Sequence, residues 1–145
     1  MKSLSFLVLF STAVVRASGF QPLWSFLGPD GVNERIAIGT GGTIYGTCAL
    51  LAAFPGDTGT GAVFALNPNG TKKWEVDVPD AGMNGPVLAP DGTVYASALS
   101  LKTNPVTLMA LKDGVVRWRL SFDGATRDGT FSRPGCPALA ADGTI

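Results

Sequence analysis

The chain contains no histidine and only two cysteines, Cys48 and Cys136. Without imidazole, the usual Ser-His-Asp triad and histidine-ligated metal sites are unavailable. Charge is also sparse: eleven basic residues balance eleven acidic ones, scattered and mixed in sign, so there is no basic footprint for nucleic acid. The one sizeable apolar run, Leu4 to Val15, is too short to cross a bilayer comfortably. What remains, 145 residues of which 46% are hydrophobic, is enough for one modest globular domain. Nineteen glycines and ten prolines imply many turns, which suits short strands better than long helices.

The first seventeen residues, "MKSLSFLVLFSTAVVRA", combine a lysine, the apolar run and a Val15-Arg16-Ala17 end of the kind a signal peptidase reads. They are read as a secretory signal peptide, residues 1–17, cut near Ala17; no cysteine lies near the cut, which argues against a lipoprotein anchor. Losing Lys2 and Arg16 leaves nine basic residues against eleven acidic ones, a weakly acidic mature chain. The expected location is secreted or extracellular, or periplasmic in a bacterial host, with no membrane span in this chain.

The mature region, 18–145, repeats itself. "TGGTIYG", "PDGTVYA" and "ADGTI" each set a Gly-Thr turn before an alternating strand, and Gly42, Gly92 and Gly143 lie 50 and 51 residues apart. A second signature accompanies the first: "WSFLG" from Trp24, "WEVDV" from Trp74 and "WRLSF" from Trp118. In the last two, Trp74, Val76 and Val78, and likewise Trp118, Leu120 and Phe122, fall on one face of a half-buried strand. A third element is a hairpin, "AVFALNPNGTKKWEV" and "TLMALKDGVVRWRL", with Asn69-Gly70 and Asp113-Gly114 expected to supply positive backbone torsions.

Assembled, these pieces predict an all-β chain built from units of four antiparallel strands. The expected boundaries are a strand of a first blade at 20–28, a blade at 34–78, a blade at 84–122, and the start of another at 134–145. Four-stranded units at this period are what a β-propeller is made of. Each is too small to bury its own face and must stack on neighbours. The repeat is incomplete at Ile145, where the pattern demands a tyrosine and more strands, so a truncated or partial propeller is expected.

Ala65-Leu66 and Ala110-Leu111, each followed by a turn and then a tryptophan, together with Asp91-Gly92-Thr93-Val94-Tyr95, resemble the pyrroloquinoline-quinone (PQQ)-type, or quinoprotein-like, β-propeller repeat. The resemblance covers roughly Phe20 to Ile145 and implies that Trp24, Trp74 and Trp118 dock between adjacent blades. Against the family motif, Asn67 and Lys112 stand where aspartate is expected, and the segments are one and two residues short. The resemblance therefore speaks for architecture and less for the cofactor, since repeat proteins without the quinone are common in this superfamily. A quinoprotein dehydrogenase would need calcium held by oxygen ligands beside the quinone, and a carboxylate base; no adjacent cysteine pair of the kind some such enzymes carry is present. Asp80, Asp91, Asp113, Asp128 and Asp142 mostly sit beside glycine or in turn-like contexts, where aspartate stabilises the corner.

No catalytic, cofactor-binding or metal-binding residue is assigned, and no cofactor is expected unless further chain supplied a PQQ–calcium site. Asn69-Gly70-Thr71 is a candidate N-glycosylation sequon and equally good turn chemistry. Cys48 and Cys136 align to blades that do not touch, so both are expected as free, buried thiols. "FPGDTGTG", Phe54 to Gly61, has one acid and no Walker lysine and is read as a loop. The expected function is a secreted, non-catalytic propeller scaffold binding a protein or glycan. The alternatives are a fragment of a PQQ-dependent alcohol or sugar dehydrogenase, and the extracellular sensor or assembly portion of a larger membrane protein.

Overall fold

The computed structural model describes residues 23–26, 32–50, 60–79, 81–100, 105–123 and 135–145. The residues expected to form a signal peptide, most of the Phe54–Gly61 loop, Asp80 and Asp128 lie outside them. The described chain is all-β, forming two antiparallel four-stranded sheets. The first contains β1 (Val32–Ile38), β2 (Ile44–Leu50), β3 (Thr60–Leu66) and β4 (Lys72–Pro79); the second contains β5 (Ala81–Leu88), β6 (Val94–Ser100), β7 (Pro105–Lys112) and β8 (Val115–Asp123). In each sheet, spatial order follows chain order, as expected when connections are short.

The Gly-Thr corners turn β1 into β2 and β5 into β6. At the second corner the Ala89 N–H donates to Thr93 O at 2.8 Å and the Gly92 N–H to Ala89 O at 3.0 Å. Gly39 to Thr43 and Ala140 to Thr144 close in the same way. The β3–β4 hairpin is a fourth instance: the Asn67 N–H donates to Thr71 O and the Gly70 N–H to Asn67 O. Here the structure departs from the expected two-residue turn. Only Gly70 takes a positive φ, of 83°, while Asn69 does not, so Pro68-Asn69 makes the turn and Gly70 follows as the left-handed residue of a longer loop. The β7–β8 hairpin is the expected two-residue type, with Asp113 at 53° and Gly114 at 76°.

Both outer strands carry a bulge immediately before their tryptophan. Ala65 pairs with Trp74 while Leu66 pairs with Lys72, and Ala110 pairs with Trp118 while Leu111 pairs with Val116. One extra residue, Lys73 or Arg117, thus re-aims the strand and turns the tryptophan to the opposite face from the residue two before it.

The sheets stack face to face, with β5 lying against β1, β2 and β3. Ala49, Val63 and Val78 of the first sheet meet Met83, Val94, Ala96, Ala98, Met109 and Leu111 of the second in one buried cluster, flanked by Tyr45, Trp74 and Val76. The far face of the first sheet forms a second cluster of Cys48, Ala62, Phe64 and Leu66, packed by Trp24 and Phe26. Residues 23–26, within the stretch expected to be a strand, form no ladder but cover this face instead. The far face of the second sheet is the least covered: Trp118, Leu120 and Phe122 are 41%, 58% and 49% exposed. Residues 135–145 approach its inner part, where Ser97 Oγ donates to Gly135 O at 2.9 Å.

Candidate functional site

The three tryptophans, singled out by their spacing, occupy related positions. Trp24 lies over the β3–β4 hairpin: its indole N–H donates to Pro68 O at 2.9 Å, and a Cβ placed on Gly70 would come within 2.5 Å of its ring. Trp74 lies across the β7–β8 hairpin in the same sense, with its Cβ and Cγ 3.0 and 3.1 Å from where a Cβ on Gly114 would stand. Both turns need glycine twice over, for the positive φ and for the room under the indole. Trp118 has no such turn beneath it among the described residues. Its other surroundings match those of Trp74: Tyr45 and Trp74 rings are 5.9 Å apart and tilted by 50°, and Tyr95 and Trp118 rings are 5.9 Å apart and tilted by 44°. Phe26, two residues after Trp24, adds a tilted ring contact with Phe64 at 5.4 Å.

Of the candidate aspartates, Asp91, Asp113 and Asp142 stand in turns. Asp91 accepts from the Thr93 N–H and from Thr93 Oγ1, both at 2.9 Å, and from Lys112 Nζ at 3.2 Å. These contacts, led by the Thr93 backbone N–H, hold its carboxyl down at about 2. Asp142 accepts from the Thr144 N–H at 2.9 Å and is likewise held below the usual carboxylate range. Asn69 belongs to the same series. Its Oδ1 accepts from the Thr71 N–H at 3.1 Å and from Thr71 Oγ1 at 2.7 Å, while Asn67 Nδ2 donates to Thr71 Oγ1 at 2.9 Å. The candidate sequon is thus a working Asx-Gly-Thr turn on an exposed hairpin.

Among the described residues no three His, Cys, Asp or Glu side chains stand together. Both cysteines are free thiols: Cys48 is buried, and burial pushes its thiol pKa up, whereas Cys136 is half-buried rather than buried as expected.

A groove of about 220 Å³ opens between the sheets on the side of their outer strands. Val78, Pro79, Ala98 and Met109 give it an apolar lining, and Thr107, Arg119 and Ser121 a polar one. The two hydroxyls bond each other at 2.9 Å, beside the exposed Arg119. The groove thus sets a guanidinium and two hydroxyls beside apolar side chains. Strand alternation marks Arg119 and Ser121 only as the polar side of a half-buried strand. Their gathering at a groove depends on how one sheet lies on the other, which no local pattern encodes.

Comparison with known proteins yields no assignment. No protein-family model matches the chain, and no curated protein matches it. Among the described residues no helix is long and apolar enough to cross a membrane.

Proposed function

We propose that the two sheets are blades of a PQQ-like repeat β-propeller, and that the chain is a secreted, non-catalytic scaffold presenting its surfaces to a protein or glycan partner. The observation that carries this reading is the use to which the recurring polar residues are put. Asn69, Asp91 and Asp142 each accept from the threonine two residues on. A carboxylate held near 2 by its own turn, as Asp91 is, is a poor general base at neutral pH. The repetition therefore serves architecture: identical corners, equivalent bulges, and an indole laid over the next hairpin's glycine. Stacked units of this sort gain stability from their neighbours and leave edges, loops and grooves for recognition.

The Arg119 groove is the part of that surface with the chemistry to discriminate. Its size suits one polar group of a larger ligand, a sugar hydroxyl pair or an acidic side chain, with affinity supplied by contacts around it. The test is a titration of oligosaccharides and acidic peptides against the protein and its Arg119→Gln form. Saturable binding that Arg119→Gln weakens supports a scaffold that reads ligands at this groove. Saturable quenching of tryptophan fluorescence by PQQ with calcium, accompanied by dye reduction with an alcohol, would instead make it a dehydrogenase and overturn the reading.

A further inference from the structure

We propose that β8 takes up an extended, acidic segment of a partner protein as an added antiparallel strand, with an aspartate or glutamate opposite Arg119 entering the groove between the sheets. The inference rests on the reading of that groove as a recognition site and names what it recognises. Arg119 supplies the charge. Glu75, which follows Trp74 as Arg119 follows Trp118, is paired by Lys72 at 2.8 Å, and Asp91 is taken by Lys112 at 3.2 Å. Arg119 has no ion-pair partner among the described residues, and it stands exposed. Thr107 and Ser121 spend one hydroxyl proton on the bond between them and keep the other for an acceptor. A planar, acceptor-only carboxylate matches a guanidinium and that remaining proton, and the methylenes of its side chain match Val78, Ala98 and Met109.

The edge of β8 supplies the backbone. β8 ends its sheet, pairing with β7 on one side and with no described strand on the other. From Trp118 to Asp123 its register against β7 runs without a shift, and Arg117 to Phe122 are all exposed. Alternate residues there hold backbone N–H and C=O groups for a further strand. The outer strand of the first sheet is guarded by contrast: β4 carries Lys72, Lys73 and Pro79, residues of the kinds that blunt an edge, whereas Val115–Asp123 contains neither lysine nor proline.

Edge and groove act together because directly opposed residues of an antiparallel pair share a face, with their Cβ atoms about 4.5–5.5 Å apart. Met109 and Arg119 already stand opposite each other on the groove side. A residue of the added strand opposite Arg119 therefore falls on that side too, within reach of the guanidinium, and its neighbours in sequence fall on the other face, where no contact is required. Main-chain bonds supply affinity and the groove selects the acid. A glycan has no peptide backbone to offer this edge, and no aromatic ring lines the groove to stack against a sugar.

The experiment is an NMR titration of the full 145-residue chain with a short peptide of alternating threonine and valine that carries one central glutamate. Saturable binding is expected, with the β8 amides shifting and exchanging more slowly. Glutamine in place of the peptide's glutamate, and Arg119→Gln in the protein, should each weaken binding about tenfold, and the two changes together no more than either alone. N-methylated along its pairing edge, the peptide should not bind. A glutamate peptide that does not bind, a glutamine peptide that binds as well, indifference to Arg119→Gln, or full binding of the N-methylated peptide overturns the proposal. An oligogalacturonate, which carries carboxylates on a sugar backbone, tells two failures apart. If it binds saturably where the peptide does not, and Arg119→Gln weakens it, the added strand alone is wrong and the groove still recognises ligands; if neither binds, the recognition reading of the groove falls as well.

Discussion

Alanine in place of Trp74, compared with alanine in place of Trp118, separates a covered tryptophan from an uncovered one in nearly the same local setting. Each follows a bulge and each lies 5.9 Å from a tyrosine ring. Trp74 in addition packs against the inter-sheet cluster and crosses Gly114, whereas Trp118 is 41% exposed. Truncating a large aromatic in a packed core costs about 3–5 kcal/mol. Trp74 is half-buried, which puts its loss near the bottom of that range, about 3 kcal/mol. Trp118 has chiefly its tyrosine contact to lose, about 0.5–1.5 kcal/mol for such a ring pair. The difference, roughly 2 kcal/mol, should lower the urea midpoint of Trp74→Ala well below that of Trp118→Ala, with similar slopes for both. Unfolding is followed by far-ultraviolet circular dichroism in dilute solution, where association does not contribute. Equal losses would mean either that no sheet covers Trp74 or that something covers Trp118 even in dilute monomer, and the stacking described above would be wrong.

Other consequences are open to direct measurement. Asp91 is depressed to about 2, so its turn stabilises the fold above the ordinary carboxylate value of 3.8 and progressively less as pH falls toward 2. Thr93→Ala removes the hydroxyl donor, and the Asp91 carboxyl, followed by NMR, should then titrate at higher pH; an unmoved midpoint would mean the hydroxyl does not hold it. Met109→Ala, at a side chain with no exposure in the inter-sheet cluster, should cost about 2–5 kcal/mol, against a negligible loss if the sheets do not pack together. Cys136 should react with a maleimide much faster than Cys48, which is buried and whose thiol is pushed up; comparable rates would place Cys48 at the surface.

Local chemistry made much of this fold legible in the sequence. Strand alternation sorted the residues of Trp74–Val78 and Trp118–Phe122 into their two faces, because a period of two admits no other partition along an unbroken strand, but it named the core-facing side correctly only for Trp74–Val78: Trp118, Leu120 and Phe122 are exposed, and Arg119 and Ser121 face the other sheet. The Asp113-Gly114 turn was recoverable for a similar reason: few residues tolerate its torsions. The Pro68-Asn69 turn was misread because Asn-Gly suits two loop lengths, and the register that decides between them belongs to the paired strands. Residues 23–26 carry the alternation of a strand yet form no ladder, since a strand needs a partner that its own pattern cannot specify. The Arg119 groove was hidden for the same kind of reason, being a product of two sheets meeting.

The relation between the sheets is what the functional reading stands on, and a nuclear Overhauser spectrum of the uniformly labelled chain measures it most directly. Cross-peaks from the Trp74 indole to the Gly114 α-protons, with those protons shifted upfield by the ring, are the predicted result, alongside the β5 contacts to β1, β2 and β3. Gly114 α-protons at ordinary shifts, with no cross-peak to Trp74 while both four-stranded ladders remain intact, would show two independent sheets and contradict the stacked repeat.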